Sequence, residues 1–204
     1  RQGSNGDTMS PKSSPDSANV HMPKQPKLES LHSGRFLSLF RRGRWEFAHR
    51  ENATGAIAIV AVTKQRRMIL VEQHRPPIGC NCIELPAGLV GDEADASNED
   101  VVEAAKRELE EETGYRAGKM RVLLTGPSSA GLTSEMITML HATNLEKVGN
   151  GGGVDHEEIT VHEVAVSKVP SFLRAQAAEG KPADFKVYAG LYFLTNSLRS
   201  RRKK

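Results

Sequence analysis

Cysteine is scarce in this chain of 204 residues, which has only Cys80 and Cys82. The single residue between them suits an unstrained disulfide poorly, and neither a Cys-x-x-Cys spacing nor partner ligands accompany them, so a disulfide framework and a redox or metal pair are both disfavoured. Both are read as structural residues of an Asn-containing loop in a reducing, cytoplasmic setting. Long apolar runs are missing too, none approaching the roughly 18 residues that a bilayer span requires. No apolar signal-peptide core is present; the chain opens on Arg1, as a processed or truncated chain would, and carries no legible targeting address. Charge of one sign is also lacking, since 28 Lys and Arg stand against 25 Asp and Glu for a formal net charge of +3. That is little for an electrostatic nucleic-acid binder, and much of the excess sits in Arg199-Ser200-Arg201-Arg202-Lys203-Lys204, read as a basic, solvated tail at 199–204. Aromatic residues make up 5% of the chain, with one tryptophan, Trp45.

What is present is globular. Hydrophobic residues reach 38% and charged residues 26%, and a chain of this length holds one domain whose core needs no staples. Residues 1–32 are rich in Ser, Pro, Asn, Gly and Lys and too poor in large apolar side chains to offset ordering entropy, which predicts a flexible tail. The domain proper is expected over 33–198. Its first part, 33–52, reads as paired strands around Arg42-Gly43, with Phe36, Phe40, Trp45 and Phe47 more apolar than one hairpin buries alone. Further strands are expected at Ala56 to Val62, Met68 to Glu72, Ile83 to Leu85, Arg121 to Leu124, Met136 to His141 and Ile159 to Val166. Helices are expected from Ser97 or Asn98 to Gly114, from Pro170 to Gly180, and from Ala183 to Leu198 with Gly190 as an interruption. The pattern is α+β, without internal repeats or a second catalytic domain.

The densest chemistry lies in the first helix, Arg107-Glu108-Leu109-Glu110-Glu111-Glu112-Thr113-Gly114-Tyr115. At about 100° per residue, Val101, Val102, Ala105 and Leu109 share an apolar stripe, while Glu103, Lys106 and Glu110 occupy the solvent side at favourable spacings. Acidic clusters are usually solvated surface. Here, however, Glu108, Glu111 and Glu112 converge at the edge of the apolar stripe with Arg107 as their basic neighbour, and each like-charge pair costs about 0.2–0.5 kcal/mol. A cation is expected there. Clustered hard oxygen ligands suit Mg²⁺ or Mn²⁺, and a Mg²⁺ site normally also uses substrate phosphates.

The spacing Arg107-Glu108-Leu109-x-Glu111-Glu112-x-Gly114-Tyr115, with Glu99 upstream and Leu85-Pro86-Ala87-Gly88 before it, resembles the signature of the Nudix hydrolases. Gly43-Arg44-Trp45-Glu46, Glu72-Gln73-His74-Arg75-Pro76-Pro77, Ile83-Glu84 and Gly131-Leu132-Thr133-Ser134-Glu135 extend the resemblance to the ADP-ribose pyrophosphatase branch, over roughly 33–195. The resemblance implies an α/β/α sandwich with a mixed central sheet and an N-terminal antiparallel strand extension that forms a homodimer through 33–52. The chain departs from the family by ten residues between Gly88 and Glu99, where five are usual, and by Ala130 where the branch places a proline.

From the residues, Glu108 and Glu112 are the metal ligands of choice, with Glu111 beside them as a catalytic carboxylate. The resemblance assigns the same roles and adds the backbone carbonyl of Ala87. Arg107 is expected to hold the helix through Glu99 or another carboxylate. The base for the attacking water is sought in Asp155-His156-Glu157-Glu158, with Glu157 first, Glu158 second and Asp155 third; Glu157 would also reach the metal. Arg75, fixed by Pro76-Pro77, has the fork for phosphate oxygens. Trp45 and Glu46 are expected to hold an adenine, with Arg50 and Glu135 at the same ligand surface. These expectations amount to Mg²⁺-dependent hydrolysis of ADP-ribose or a related ADP-sugar to AMP and a sugar phosphate. The alternatives are another nucleoside diphosphate sugar, such as GDP-mannose or UDP-glucose, and a non-catalytic ADP-ribose sensor. Neither a membrane nor a nucleic acid is expected as a partner.

Overall fold

A computed structural model describes residues 25–91, 100–153 and 158–201. Its centre is β4 (Gly55–Ala61), a Gly-Ala-Ile-Ala-Ile-Val-Ala run that is buried almost throughout. Alternation along a strand sends successive side chains to opposite faces. Thus Ile57, Ile59 and Ala61 pack with Ala104, Ala105 and Leu109 of α1 (Val101–Thr113), while Ala58 and Val60 pack with Val169 and Leu173 of α2 (Val169–Ala178) and Val187 and Leu194 of α3 (Phe185–Arg201). Helices on both faces give the α/β/α sandwich. Each fully buried Ile contributes roughly 1.5–3 kcal/mol, and Ile59→Ala would open a cavity on the α1 side at a cost of about 2–5 kcal/mol.

Around β4 lie β7 (Ala87–Val90), β9 (Met136–Lys147) and β8 (Tyr115–Pro127) in the order β7-β4-β9-β8, with β4 and β9 parallel and the other pairs antiparallel. A second sheet, β10-β5-β6, joins β5 (Arg67–Arg75), β6 (Cys80–Glu84) and β10 (Thr160–Ala165) antiparallel. The N-terminal extension is a third antiparallel sheet, β1 (Leu28–Ser33), β2 (Leu37–Arg42) and β3 (Trp45–Arg50). The strands therefore fall into a mixed sheet and two antiparallel ones.

Several expectations change. Residues 28–32 are not tail but most of β1, paired to β2 from Leu28↔Arg42 to Ser33↔Ser38 and fastened by Arg41–Glu29 at 2.6 Å. All six β1 residues are exposed, so ladder hydrogen bonds rather than burial define this strand, and composition carried no trace of it. Of the rest of the expected tail, residues 25–27 precede β1 without a regular element and residues 1–24 lie outside the described residues. The α1 N-cap is Asp100, whose side chain accepts from the Val102 N–H at 2.8 Å; Ser97, Asn98 and Glu99 lie outside the described residues. Gly114 ends α1 at φ 67°, as expected. Cys80 and Cys82 belong to strand β6 rather than a loop, both free, and burial pushes the Cys82 thiol up to about 11. The backbone of α3 continues through 199–201, inside the expected tail; 202–204 are outside the described residues. Gly190 does not interrupt α3, because a Cβ there would lie 3.0 Å from Val60: the glycine lets the helix approach β4.

Candidate active site

Two connections converge on the Glu-bearing flank of α1. The first is the Leu85-Pro86-Ala87-Gly88 segment that carries β6 into β7. Its Ala87 N–H donates to Glu112 Oε2 at 3.1 Å. At Gly88 a Cβ would come within 2.1 Å of Glu108 Cδ, so the missing side chain is what gives Glu108 its place. The second is the glycine-rich stretch 149–153, which closes the C-terminal end of α1. The Gly152 N–H donates to the Glu112 carbonyl at 2.8 Å and the Gly153 N–H to the Glu111 carbonyl at 3.2 Å, satisfying carbonyls that a helix end leaves open. At Gly151 a Cβ would sit 2.4 Å from the Thr113 carbonyl carbon.

The result is a cavity of about 340 Å³ lined by Glu108 and Glu112 from α1, Arg75 from β5, Glu84 from β6, and Arg50 with Glu135 from the extension and the loop before β9. Glu112 is only 3% exposed, and the Glu108 side chain 13%. Arg75 forks onto Glu84 through two hydrogen bonds of 2.6 and 2.9 Å. Glu84 and, less strongly, Glu112 raise the Arg75 pKa further against the opposing effect of burial, so the guanidinium is fixed as a cation at the cavity wall. Arg50 meets Glu135 at 3.0 Å. That contact comes from the docking of β3 on the 132–134 loop, where the Ala48 N–H donates to the Leu132 carbonyl and the Ser134 N–H to that of Ala48.

Of the residues expected from sequence, Glu108, Glu112, Ala87, Arg75, Arg50 and Glu135 meet at this cavity. Glu111 turns to Arg107, 3.2 Å away, and does not line it; Arg107 also holds Glu108 at 3.0 Å. Trp45 and Glu46 lie at the far end of β3, and Trp45 is 56% exposed. At about 3.3 Å per residue, Trp45 stands roughly 17 Å from Arg50 along the strand, outside the cavity of its own chain. Asp155, His156 and Glu157 lie outside the described residues; Glu158 is exposed and lines a different cleft beside Glu72. Sequence reasoning missed Glu84 and Lys186 as lining residues. For Glu84 the signal was available, a lone carboxylate in the Cys-Ile-Glu-Leu run nine positions after Arg75. Nothing local marks Lys186, which reaches the cavity from α3.

Four lining carboxylates are Glu84, Glu108, Glu112 and Glu135, and three lining cations are Arg50, Arg75 and Lys186. The cations suit anionic phosphate oxygens. Among the described residues, no three carboxylates stand close enough to enclose an ion by themselves. The donor set is nevertheless all hard oxygen and the cradle over Gly88 is shaped around Glu108, which fits a divalent ion completed by ligand oxygens.

The α/β/α sandwich has a glycine-cradled helix that presents carboxylates to a cavity with an opposing guanidinium, groups that suit a divalent ion and phosphate oxygens. The NUDIX domain pattern matches residues 52–190, and the chain belongs to the Nudix hydrolase family. It is 33% identical over 141 residues to the methanol dehydrogenase activator of Bacillus methanolicus, covering 66% of this chain and 74% of that one. It is 34% identical over 113 residues to the ADP-ribose pyrophosphatase of Bacillus subtilis, covering 55% of this chain and 58% of that one. The fold is shared with the structure described as a crystal structure of ADP compounds hydrolase, at a TM-score of 0.68 and 17% identity, over 87% of this chain and 95% of the other.

Proposed function

We propose that this chain hydrolyses the pyrophosphate bond of ADP-ribose or a related ADP-sugar to AMP and a sugar phosphate, with Mg²⁺ or Mn²⁺. The observation that carries the reading is the meeting of Glu108 and Glu112 with Arg75 in one cavity. Glu108 and Glu112, with the Ala87 carbonyl, would hold the ion. A bound divalent ion supplies charge neutralisation and an activated water for attack on phosphorus. The chain's own groups do the rest. Arg75, held rigid by Glu84 through Nε and one terminal nitrogen, has its remaining N–H donors for diphosphate oxygens. Arg50 and Lys186 add positive charge on the same wall, and the Ala87 N–H orients the Glu112 carboxylate. Glu157 remains the reading for the base, carried on the segment that follows Gly153, whose N–H is tied to the α1 end.

The same reading includes a homodimer through the extension. Leu28, Leu31, Phe36, Leu37 and Trp45 are all exposed on or beside the three-stranded sheet, and isologous pairing would cover them. Adenine stacking by Trp45 would then come from a second copy, since Trp45 does not reach its own cavity. Among the described residues no helix is long and apolar enough to cross a membrane, and the two free cysteines accord with a reducing cytoplasmic setting. The test is a panel of ADP-ribose, other ADP-sugars, GDP-mannose and UDP-glucose with Mg²⁺, with both products identified. Preferential release of AMP supports the reading, and a preference for GDP-mannose or UDP-glucose replaces its substrate. Saturable ADP-ribose binding without product would make the chain a sensor.

A further inference from the structure

A cavity larger than the Glu-lined one lies at the other end of β4. The Glu-lined cavity takes in Ala56 and Ile57, whereas a groove of about 840 Å³ takes in Val62 and Thr63, roughly 20 Å further along the strand. They share no lining residue. On α1 the groove is bordered by Val102 and Lys106, whose mean direction is turned about 120° around the helix from that of Glu108 and Glu112.

Its lining charge has one sign. Lys64 and Arg66 come from the β4–β5 turn, Lys106 from α1, and Lys119 and Arg121 from β8; among the described residues no carboxylate lines the groove. Lys106 is paired to Glu103 at 2.7 Å at the rim. Arg121 stands directly opposite His141 in the β8–β9 register, with its guanidinium 3.5 Å from the ring nitrogen. The imidazole can accept from that guanidinium, which holds Arg121 on the groove side of the ladder. A second, independent observation concerns the backbone. Among the described residues, the two non-glycine residues with positive φ are Arg66 at 62° and Asn144 at 55°, and both line this groove. Asparagine tolerates that region; arginine gains nothing from it. Arg66 is the left-handed residue that closes the three-residue loop, its N–H donating to the Thr63 carbonyl at 3.0 Å, and this loop holds its side chain at the groove.

The floor is apolar, with Val62, Val102, Met120 and Leu194. Among the described residues no Phe, Tyr or Trp lines the groove and His141 is its single ring, so it offers no row of rings for stacking a run of bases, the usual device of single-strand binders. Its volume is that of a site for one small ligand.

We propose that this groove is a second anion site, separate from the Nudix cavity, that takes a small ligand bearing a chain of phosphates. Inorganic oligophosphate and a nucleoside polyphosphate share that chemistry. Arg66, aimed by its left-handed turn, and Lys119 with Arg121, on the facing strand, supply the opposed contacts.

The experiment is calorimetric titration of the full chain with tripolyphosphate, with ATP, and with a short single-stranded RNA, at two salt concentrations. Saturable, salt-sensitive binding of tripolyphosphate is expected. Arg66→Gly suits the left-handed turn better than arginine, so it should keep or raise the melting temperature while weakening binding about tenfold, the size of one charge-assisted hydrogen bond. The double variant Lys119→Glu/Arg121→Glu should weaken it further, and both should leave hydrolysis in the Nudix cavity unchanged. ATP binding tighter than tripolyphosphate at the same residues would identify the nucleotide as the source of the phosphates, with the sugar and base on the apolar floor. The proposal is overturned if tripolyphosphate does not bind saturably, or if binding survives Arg66→Gly and the double variant but is lost in Arg75→Ala. Tighter binding of RNA through the same residues would overturn it too, by making the groove a macromolecular surface.

Discussion

Glu72 and Glu112 are both buried carboxylates, and their surroundings are opposite in kind. Glu72 on β5 is ringed by donors from three other parts of the chain: the Asn81 amide at 2.8 Å, His162 Nε2 at 3.0 Å and Lys181 Nζ at 2.9 Å. Burial alone would raise its pKa, but those three hydrogen bonds and the Lys181 charge outweigh it and hold the carboxyl down to about 2. Glu112 accepts from the Ala87 N–H and faces a cavity that a second carboxylate, Glu108, also lines. A buried charge met by one ammonium and two further side-chain partners fastens strands β5, β6 and β10 to the α2–α3 connection. On the proposed reading, the two carboxylates at one cavity would hold a cation completed by ligand oxygens. Burial and residue type are the same in both; what differs is that Glu72 is met by donors from three parts of the chain, whereas Glu112 shares its cavity with a second carboxylate.

The largest effect should come from neutralising the cavity side. Glu112→Gln is expected to lower turnover by at least about two orders of magnitude, with the melting temperature shifted by only a few degrees, and Glu108→Gln should be comparably severe. Steady-state kinetics beside a thermal melt separates the two readouts. Gly88→Ala should come next. Its Cβ would fall 2.1 Å from Glu108 Cδ, so Glu108 must leave its position, and activity should drop while secondary structure by circular dichroism is retained.

The fastening side should behave in reverse. Glu72→Gln is expected to cost on the order of 3 kcal/mol of stability, because the shift from 4.5 to about 2 measures how strongly the charged form is held. Turnover per folded molecule should be unchanged. Since the folded-state value lies below the unfolded one, this contribution is complete above pH 4.5 and is lost as pH falls toward about 2. Denaturant titrations at neutral pH and at successively lower pH should show wild type approaching Glu72→Gln across that window. A constant gap would remove Glu72 from the account of acid stability.

How far the sequence revealed this arrangement depended on whether the signal was local. The α1 carboxylates, the Gly114 cap and the Leu-Pro-Ala-Gly segment are set by spacing within a few residues, and the cavity forms around them. Strand β1 was hidden because its side chains stay exposed and its stability lies in backbone pairing. Strand β8 runs over 13 residues where only Arg121 to Leu124 looked strand-like, because its flanking Gly, Lys and Arg carry no alternation. Lys186, and the meeting of Glu72 with Lys181 over more than a hundred residues, are tertiary facts with no local trace.

The smallest expected effect lies at Trp45, which belongs to neither cluster in its own chain. If a second copy presents it to the cavity, Trp45→Ala should raise KM for ADP-ribose about tenfold, within the 1–3 kcal/mol typical of base stacking, while leaving kcat nearly unchanged. Light scattering at micromolar concentration should give a dimer mass. A monomer with full activity and an unchanged KM in Trp45→Ala would return the indole to a surface role.

The central claim is that the Glu108–Glu112 cavity, and not the chain at large, carries a divalent-ion-dependent pyrophosphatase. Its most direct test is AMP release from ADP-ribose during Mg²⁺ titration, run on wild type and Glu112→Gln at equal folded concentration and repeated after a chelator and Mg²⁺ restoration. The account requires wild-type release that follows Mg²⁺, stops reversibly with the chelator, and is at least about a hundredfold slower in Glu112→Gln. Equal rates in the two proteins at saturating Mg²⁺ would contradict it.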